Sequence, residues 1–326
     1  MITLQYLEPG PHLAKISPQQ AREKLHAALE ILPISALLLG WDLPPALLEV
    51  CRDETALADV KLYRWQPILT GDGTIFPEMA WRTRNLRGGP LPGFRGLPEF
   101  TFVCPNHLAA RAAILSHLTD LAQSGLYDGI FLDRMRFPSP AEHPVESLAC
   151  FCEHCQRAAA DFGLDLAEIR KTLQTSSKLS VLRALGGEDV APLSAFLDFR
   201  EHTITQFIIE AVKILRATGL AVGLDCFSPS LTRMVGQDLS ALAPLADWTK
   251  LMIYGHARGP ATLPYEIGAL ANWLELPESE ALAQIDTTLG LALTAAPSPL
   301  HALPSTLAAE YHRGRRSAVR GQLLAG

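Results

Sequence analysis

A parallel α/β domain built towards an eight-stranded (β/α)8 TIM-type barrel is the fold class predicted by this sequence, on three observations. Short apolar runs alternate with amphipathic helical patterns along the chain, which is the signature of β/α units. Those runs end repeatedly on acidic or polar residues, as barrel strands do at the face that carries chemistry. The 326 residues, 48% hydrophobic and 19% charged, are enough for one large core. The expectation is therefore a single domain over 1–326, with a helical insertion at about 150–217.

Ile2 to Leu7 is the first expected strand, ending at Glu8-Pro9-Gly10. A helix follows from Ser17 to Ile31, with Ser17 as N-cap and Pro18 at the first helical position. Ile34 to Gly40 is the second strand, with Trp41 and Asp42 just beyond it, and Pro44 to Val50 opens a helix. Lys61 to Leu69 reads as the third. The stretch from Gly71 to Phe100 is rich in Gly and Pro, and a connection this long inside a compact domain is usually functional or disordered. Ala109 to Gln123 is an amphipathic helix, and Gly129 to Leu132 is the fourth strand.

Cys155 to Ile169 and Leu193 to Ala217 are expected as helices, separated by a polar stretch around Ser176-Ser177-Lys178 and Gly186-Gly187. Leu220 to Asp225 is the fifth strand and Asp247 to Tyr254 the sixth. Helices are expected over Tyr265 to Leu274 and Ser279 to Leu289. A seventh strand begins at Gly321. Eight strands need more chain than this, so either one is hidden around Leu289 to Thr294 or the barrel is truncated at its C-terminus.

A net charge of -6 argues against sequence-independent nucleic-acid binding, which needs a basic footprint. No apolar run approaches the ~18 residues that span a bilayer. Met1 to Tyr6 lacks the basic and apolar parts of a leader, so a cytoplasmic location is the expectation. The six cysteines then read as reduced thiols and metal ligands rather than disulfides. Oligomeric state is open, a homo-oligomer included.

Four of those cysteines form a pattern. Cys104 stands alone, and Cys150, Cys152 and Cys155 lie in Cys150-Phe151-Cys152-Glu153-His154-Cys155. Three thiolates of a C-x-C-x-x-C knuckle converge on one point, and a fourth closes the tetrahedron that Zn²⁺ takes in structural sites. His107 or His154 could replace one thiolate.

Between Cys104 and the knuckle runs Asp128-Gly129-Ile130-Phe131-Leu132-Asp133-Arg134-Met135-Arg136-Phe137-Pro138, a buried strand ending on an acid flanked by arginines. Asp133 and Asp225, at equivalent ends of the fourth and fifth strands, are the expected catalytic pair. Two carboxylates across a cleft can serve as acid/base and nucleophile in glycosidic cleavage, whose transition state resembles an oxocarbenium ion. Arg134 and Arg136 favour a charged Asp133 by proximity. Glu8, Trp41, Asp42, Lys250, Tyr254 and His256, with both arginines, are the expected substrate-binding residues. Indole faces suit sugar rings, which adds Trp65 and Trp81 as weaker candidates.

The lone cysteine, the C-x-C-x-x-C knuckle and the following helix with Phe162 resemble the zinc cluster of the family 42 β-galactosidases, over about residues 101–164. The Asn-Glu dipeptide that carries the acid/base in those enzymes is absent here. The stretch from Asp128 to Pro138 is similar to glycosyl hydrolase-like barrels whose fourth strand reads D-G-I-x-L-D-x-x-R-x-P. The second Asp of that motif, inferred as catalytic, falls on Asp133. The resemblance implies a glycoside hydrolase-like barrel with a carbohydrate substrate, and not a β-galactosidase. A non-catalytic carbohydrate-binding barrel with structural zinc is the alternative, and a barrel mouth serving another reaction is a third.

Overall fold

The computed structural model describes residues 2–71, 76–255, 259–293, 304–317 and 322–325. Seven strands form one sheet in sequence order, every neighbouring pair parallel. They are β1 (Ile2–Tyr6), β2 (Ile34–Leu39), β3 (Lys61–Pro67), β4 (Gly129–Asp133), β5 (Ala221–Cys226), β6 (Trp248–Leu251) and β7 (Gln322–Ala325). This is the strand order of a TIM-type barrel wall. β1 and β7 each pair on one side only, so the expected eight-stranded barrel is not closed among the described residues. Among the described residues no strand lies near Leu289 either, since 290–293 are irregular; Thr294 lies outside them.

Helices α1 (Pro18–Ile31) and α2 (Pro45–Leu57) cover β1 to β3. α1 starts where its sequence directs, with a capping box between Ser17 and Gln20 and Pro18 in the first turn. α3 (Leu108–Gln123) precedes β4, with His107 Nδ1 accepting from the amide of Ala110 at 3.3 Å. The insertion between β4 and β5 holds α4 (Pro144–Ser147), α5 (Glu153–Asp161), α6 (Leu166–Thr175), α7 (Lys178–Leu185) and α8 (Leu193–Arg216). The chain then adds α9 (Leu239–Leu242), α10 (Leu263–Leu274), α11 (Glu278–Leu289) and α12 (Pro304–Ser317).

Two sequence expectations are corrected in the insertion. The single helix from Cys155 to Ile169 is broken into α5 and α6, because Gly163 takes a left-handed conformation (φ 87°) and Asp165 recaps the chain. The polar stretch around Ser176 is a helix start rather than a separator, since Ser177 Oγ caps α7 through the amide of Ser180. The sixth strand is shorter than expected. After Leu251 the amide of Met252 still reaches Cys226, but Ile253 turns back to Leu251, so Tyr254 stands in the loop.

Strand alternation sorts the side chains into layers. Leu37 and Leu39 of β2 pack under the first helices, while Ala36 and Leu38 turn to the other face. There they meet Tyr63, Phe131 and Trp248 from β3, β4 and β6. Phe131 stacks on Trp248 with ring centroids 4.9 Å apart, and Tyr63 meets the same indole edge-on at 5.5 Å. Two residues further along each strand, the same face carries Trp65, Asp133, Asp225 and Lys250. The candidate site is thus one layer above an aromatic floor.

Candidate active site and metal centre

Asp133 is the last residue of β4 and Asp225 the penultimate residue of β5, on paired strands. The register Leu132↔Leu224 places the two aspartates side by side one step later. On the other side Asp225 faces Lys250 of β6. All three are buried.

Both Asp133 oxygens are held. Oδ2 accepts from the indole N–H of Trp65 at 2.9 Å, and Oδ1 accepts from the amide of Arg134 at 2.5 Å. Arg134 itself takes a left-handed backbone (φ 53°), a conformation costing a non-glycine residue on the order of 1 kcal/mol. Asp42, another strand-end residue, has the same twist (φ 55°). The Arg134 side chain runs back over the site, with Nε 3.8 Å from Asp133 Oδ2 and its guanidinium 5.5 Å from the Trp41 ring.

Asp225 Oδ2 accepts from Lys250 Nζ at 3.1 Å, while its Oδ1 is buried with no hydrogen-bond partner among the described residues. Burial pushes the Asp225 carboxyl up to about 7, against the pull of Lys250 and with the added push of Asp133. Burial alone would lower Lys250, but the neighbouring Asp225 and Tyr254 outweigh it and hold the ammonium above its ordinary value. Its ammonium also sits over the rings of Phe131 and Tyr254, at 5.7 and 5.2 Å. Burial likewise raises Tyr254.

Arg136 does not ion-pair with Asp133. Its guanidinium lies between the faces of Phe102 and Phe227, at 4.7 and 4.5 Å, and Nη1 donates to the carbonyl of Phe137 at 3.1 Å. Burial lowers it to about 10, opposed by Glu266 and Asp133. Arg136 also lines a pocket of about 280 Å³ with Phe94, Phe100, Glu142 and Tyr265, formed by the loops after β3, β4 and β6.

The remaining candidates are dispersed. Trp41 is buried edge-on against Trp65, centroids 5.5 Å apart. Asp42 is exposed and faces Arg64 at 3.7 Å. Glu8 is exposed beyond β1. His256 lies outside the described residues.

Trp65, a weaker sugar-stacking candidate in the sequence, donates its indole N–H to Asp133, a role its local sequence does not mark. Gln237 is fully buried, and its Oε1 accepts from the amide of Phe227 at 2.8 Å. Its Nε2 points to the carbonyls of Met135 and Asp225 at 3.4 and 3.5 Å. That one side chain ties together the segments following both aspartates, and nothing in its local sequence marks it.

The four cysteines meet. The sulfurs of Cys104, Cys150, Cys152 and Cys155 all lie within 4.8 Å of one another and could hold a metal ion. The surroundings suit thiolates: the amide of Arg84 donates to Cys150 Sγ at 3.2 Å, and the amide of Cys155 to Cys152 Sγ at 3.4 Å. Cys152 therefore doubles as the N-cap of α5. Asn106 Nδ2 is 3.5 Å from Cys155 Sγ. Neither histidine belongs to the set. His107 caps α3, and His154 packs on its ring with centroids 4.3 Å apart.

No family model and no curated protein matches this chain. Solved structures do. The PgaB (BpsB) glycoside hydrolase domain from Bordetella bronchiseptica aligns over 99% of this chain and 93% of its own, with a TM-score of 0.53 and 17% identity. A β-galactosidase from Rahnella sp. R3 aligns over 82% of this chain at TM-score 0.48 and 12% identity. Gan42B, a GH42 β-galactosidase, does so over 82% at 0.48 and 14%. This chain spans 41% and 42% of those two longer chains. The alignment with the PgaB domain shows that the protein has a glycoside hydrolase-like fold.

Proposed function

We propose that this protein cleaves a glycosidic bond, with Asp133 and Asp225 as its carboxylate pair. The observation carrying this reading is the layer of Asp133, Asp225 and Lys250 at adjacent C-terminal strand ends. Asp225, raised to about 7, retains a proton near neutral pH and has an oxygen unpartnered among the described residues, which suits a general acid for the leaving oxygen. Asp133 is fixed by the Trp65 indole and the Arg134 amide, which suits a group that attacks or stabilises the anomeric carbon. A carbohydrate substrate follows from this reading. Lys250 fixes Asp225, and Tyr254 and Arg134 flank the pair.

The cysteine cluster, on the same reading, holds one structural Zn²⁺. The all-sulfur donor set and the N–H groups aimed at Cys150 and Cys152 fit that ion. Four thiolates close its coordination sphere, so it would pin the loop after β3 to the insertion and take no part in cleavage.

A panel of chromogenic glycosides and oligosaccharides tests the activity. On any substrate turned over, Asp133→Asn should lose about 10²–10⁴-fold in kcat with an unchanged thermal midpoint and metal content. Wild-type turnover in that variant removes Asp133 from the reaction. Retention of a sugar with no product from wild type would make this a binding barrel.

A further inference from the structure

Arg200, on α8, is the largest fully buried side chain among the described residues. Its Nε donates to the carbonyl of Ala149 at 2.7 Å and its Nη1 to that of Met234 at 2.9 Å. The guanidinium lies over the Phe137 ring at 4.7 Å, and Nη2 has no hydrogen-bond partner among the described residues. Among the described residues no carboxylate lies within ion-pair distance of it. The adjacent Glu201 is engaged instead by Arg233, at 2.6 Å.

A buried cation held by two carbonyls and an aromatic face is poorly compensated, and buried charges persist where something opposite in sign is near. Burial disfavours the charged guanidinium, opposed first by Glu201 and then by the sulfurs of Cys150 and Cys155. Four thiolates around a divalent ion leave a net charge of about −2 at the cluster. We propose that Arg200 is the counter-charge of this metal–tetrathiolate, a positioning residue that sets how tightly the cluster holds its ion. The inference rests on the zinc reading above.

The hydrogen bonds fit the same role. Ala149 immediately precedes Cys150, so the guanidinium that offsets the cluster's charge also holds the backbone presenting one ligand. Its other bond reaches Met234, three residues before Gln237, whose side chain braces the chain beyond both aspartates. Arg200 thus sits where the cysteine knuckle meets the support of the carboxylate pair.

The test compares zinc-loaded wild type with Arg200→Lys and Arg200→Gln, which separate charge from hydrogen bonding. Zinc loss to an excess of the chelating dye 4-(2-pyridylazo)resorcinol is followed by absorbance, beside the thermal midpoint. Removing an outer-shell partner typically weakens metal binding about 10- to 100-fold. Arg200→Gln, still able to donate to Ala149, should lose zinc faster by that order, and Arg200→Lys should hold it closer to wild type. Equal zinc loss from the two variants, whatever their thermal midpoints, would reduce Arg200 to a strut between carbonyls and overturn the proposal. Failure of wild type to take up stoichiometric zinc would overturn both this proposal and the zinc reading.

Discussion

Asp225 owes its chemistry to neighbours that no local sequence reveals. Burial raises its carboxyl to about 7 although Lys250 is only 3.1 Å away. If Asp225 delivers the proton, kcat/KM should fall above about pH 7 with a single-proton slope, and Asp225→Asn should abolish that limb with the activity. The stability consequence has a defined sign. A carboxyl raised in the fold keeps a proton that the unfolded chain, near its ordinary value of 3.8, has released. Its contribution is present at low pH and is lost as pH rises through about 7. The thermal midpoint of wild type should therefore drop more than that of Asp225→Asn between pH 5 and pH 8. The difference should be at most a few kcal/mol, given about 1.4 kcal/mol per pKa unit. Equal pH dependence in the two proteins would contradict the raised value.

At the level of elements, the floor of the site depends on a strand residue without a side chain. Gly223 of β5 pairs with Trp248 of β6, and a Cβ added there would lie 2.4 Å from the indole. Gly223→Ala should thus force the Phe131–Trp248 stack apart and cost about 1–3 kcal/mol, the usual range for overpacking. Gly268, inside α10, is the opposite case: a Cβ there meets nothing within 4 Å. Gly268→Ala should stabilise by about 0.5–1 kcal/mol, because glycine is a poor residue for a helix interior. Urea midpoints shifting in opposite directions would bear out both expectations, and a tolerated Gly223→Ala would refute the packing argument.

Across the whole molecule, the cysteine cluster joins parts distant in sequence, from the segment before α3 to the first helices of the insertion. Cys152→Ala removes one of the four sulfurs that could hold a metal ion and the N-cap of α5 together. It should lower the thermal midpoint sharply and abolish stoichiometric zinc, while any residual folded protein keeps its substrate preference. Metal analysis beside thermal unfolding checks this, and an unchanged midpoint would separate the cluster from stability. A second long-range tie is Glu310 of α12, fully buried, which accepts from Ser228 Oγ at 2.8 Å and from the amide of Ser230 at 2.9 Å. It fastens a C-terminal helix to the loop following Asp225.

Taken alone, the sequence determined the parallel order of the strands, the strand-end aspartates and the four-cysteine set. Short apolar runs between helical patterns, acids after those runs and C-x-C-x-x-C spacing are local signals, readable without knowing what lies across the fold. Only the tertiary structure decided which groups share an environment. It turned Trp65 onto Asp133, paired Lys250 with Asp225, and moved Arg136 off the carboxylates into an aromatic sandwich. It left Glu8 and Asp42 exposed, and it buried Arg200 beside the cysteines and Gln237 behind both aspartates. The physical reason is that burial and charge proximity are set by residues from different strands and loops, as far apart in the chain as Tyr63 and Trp248, whose distances no local pattern encodes.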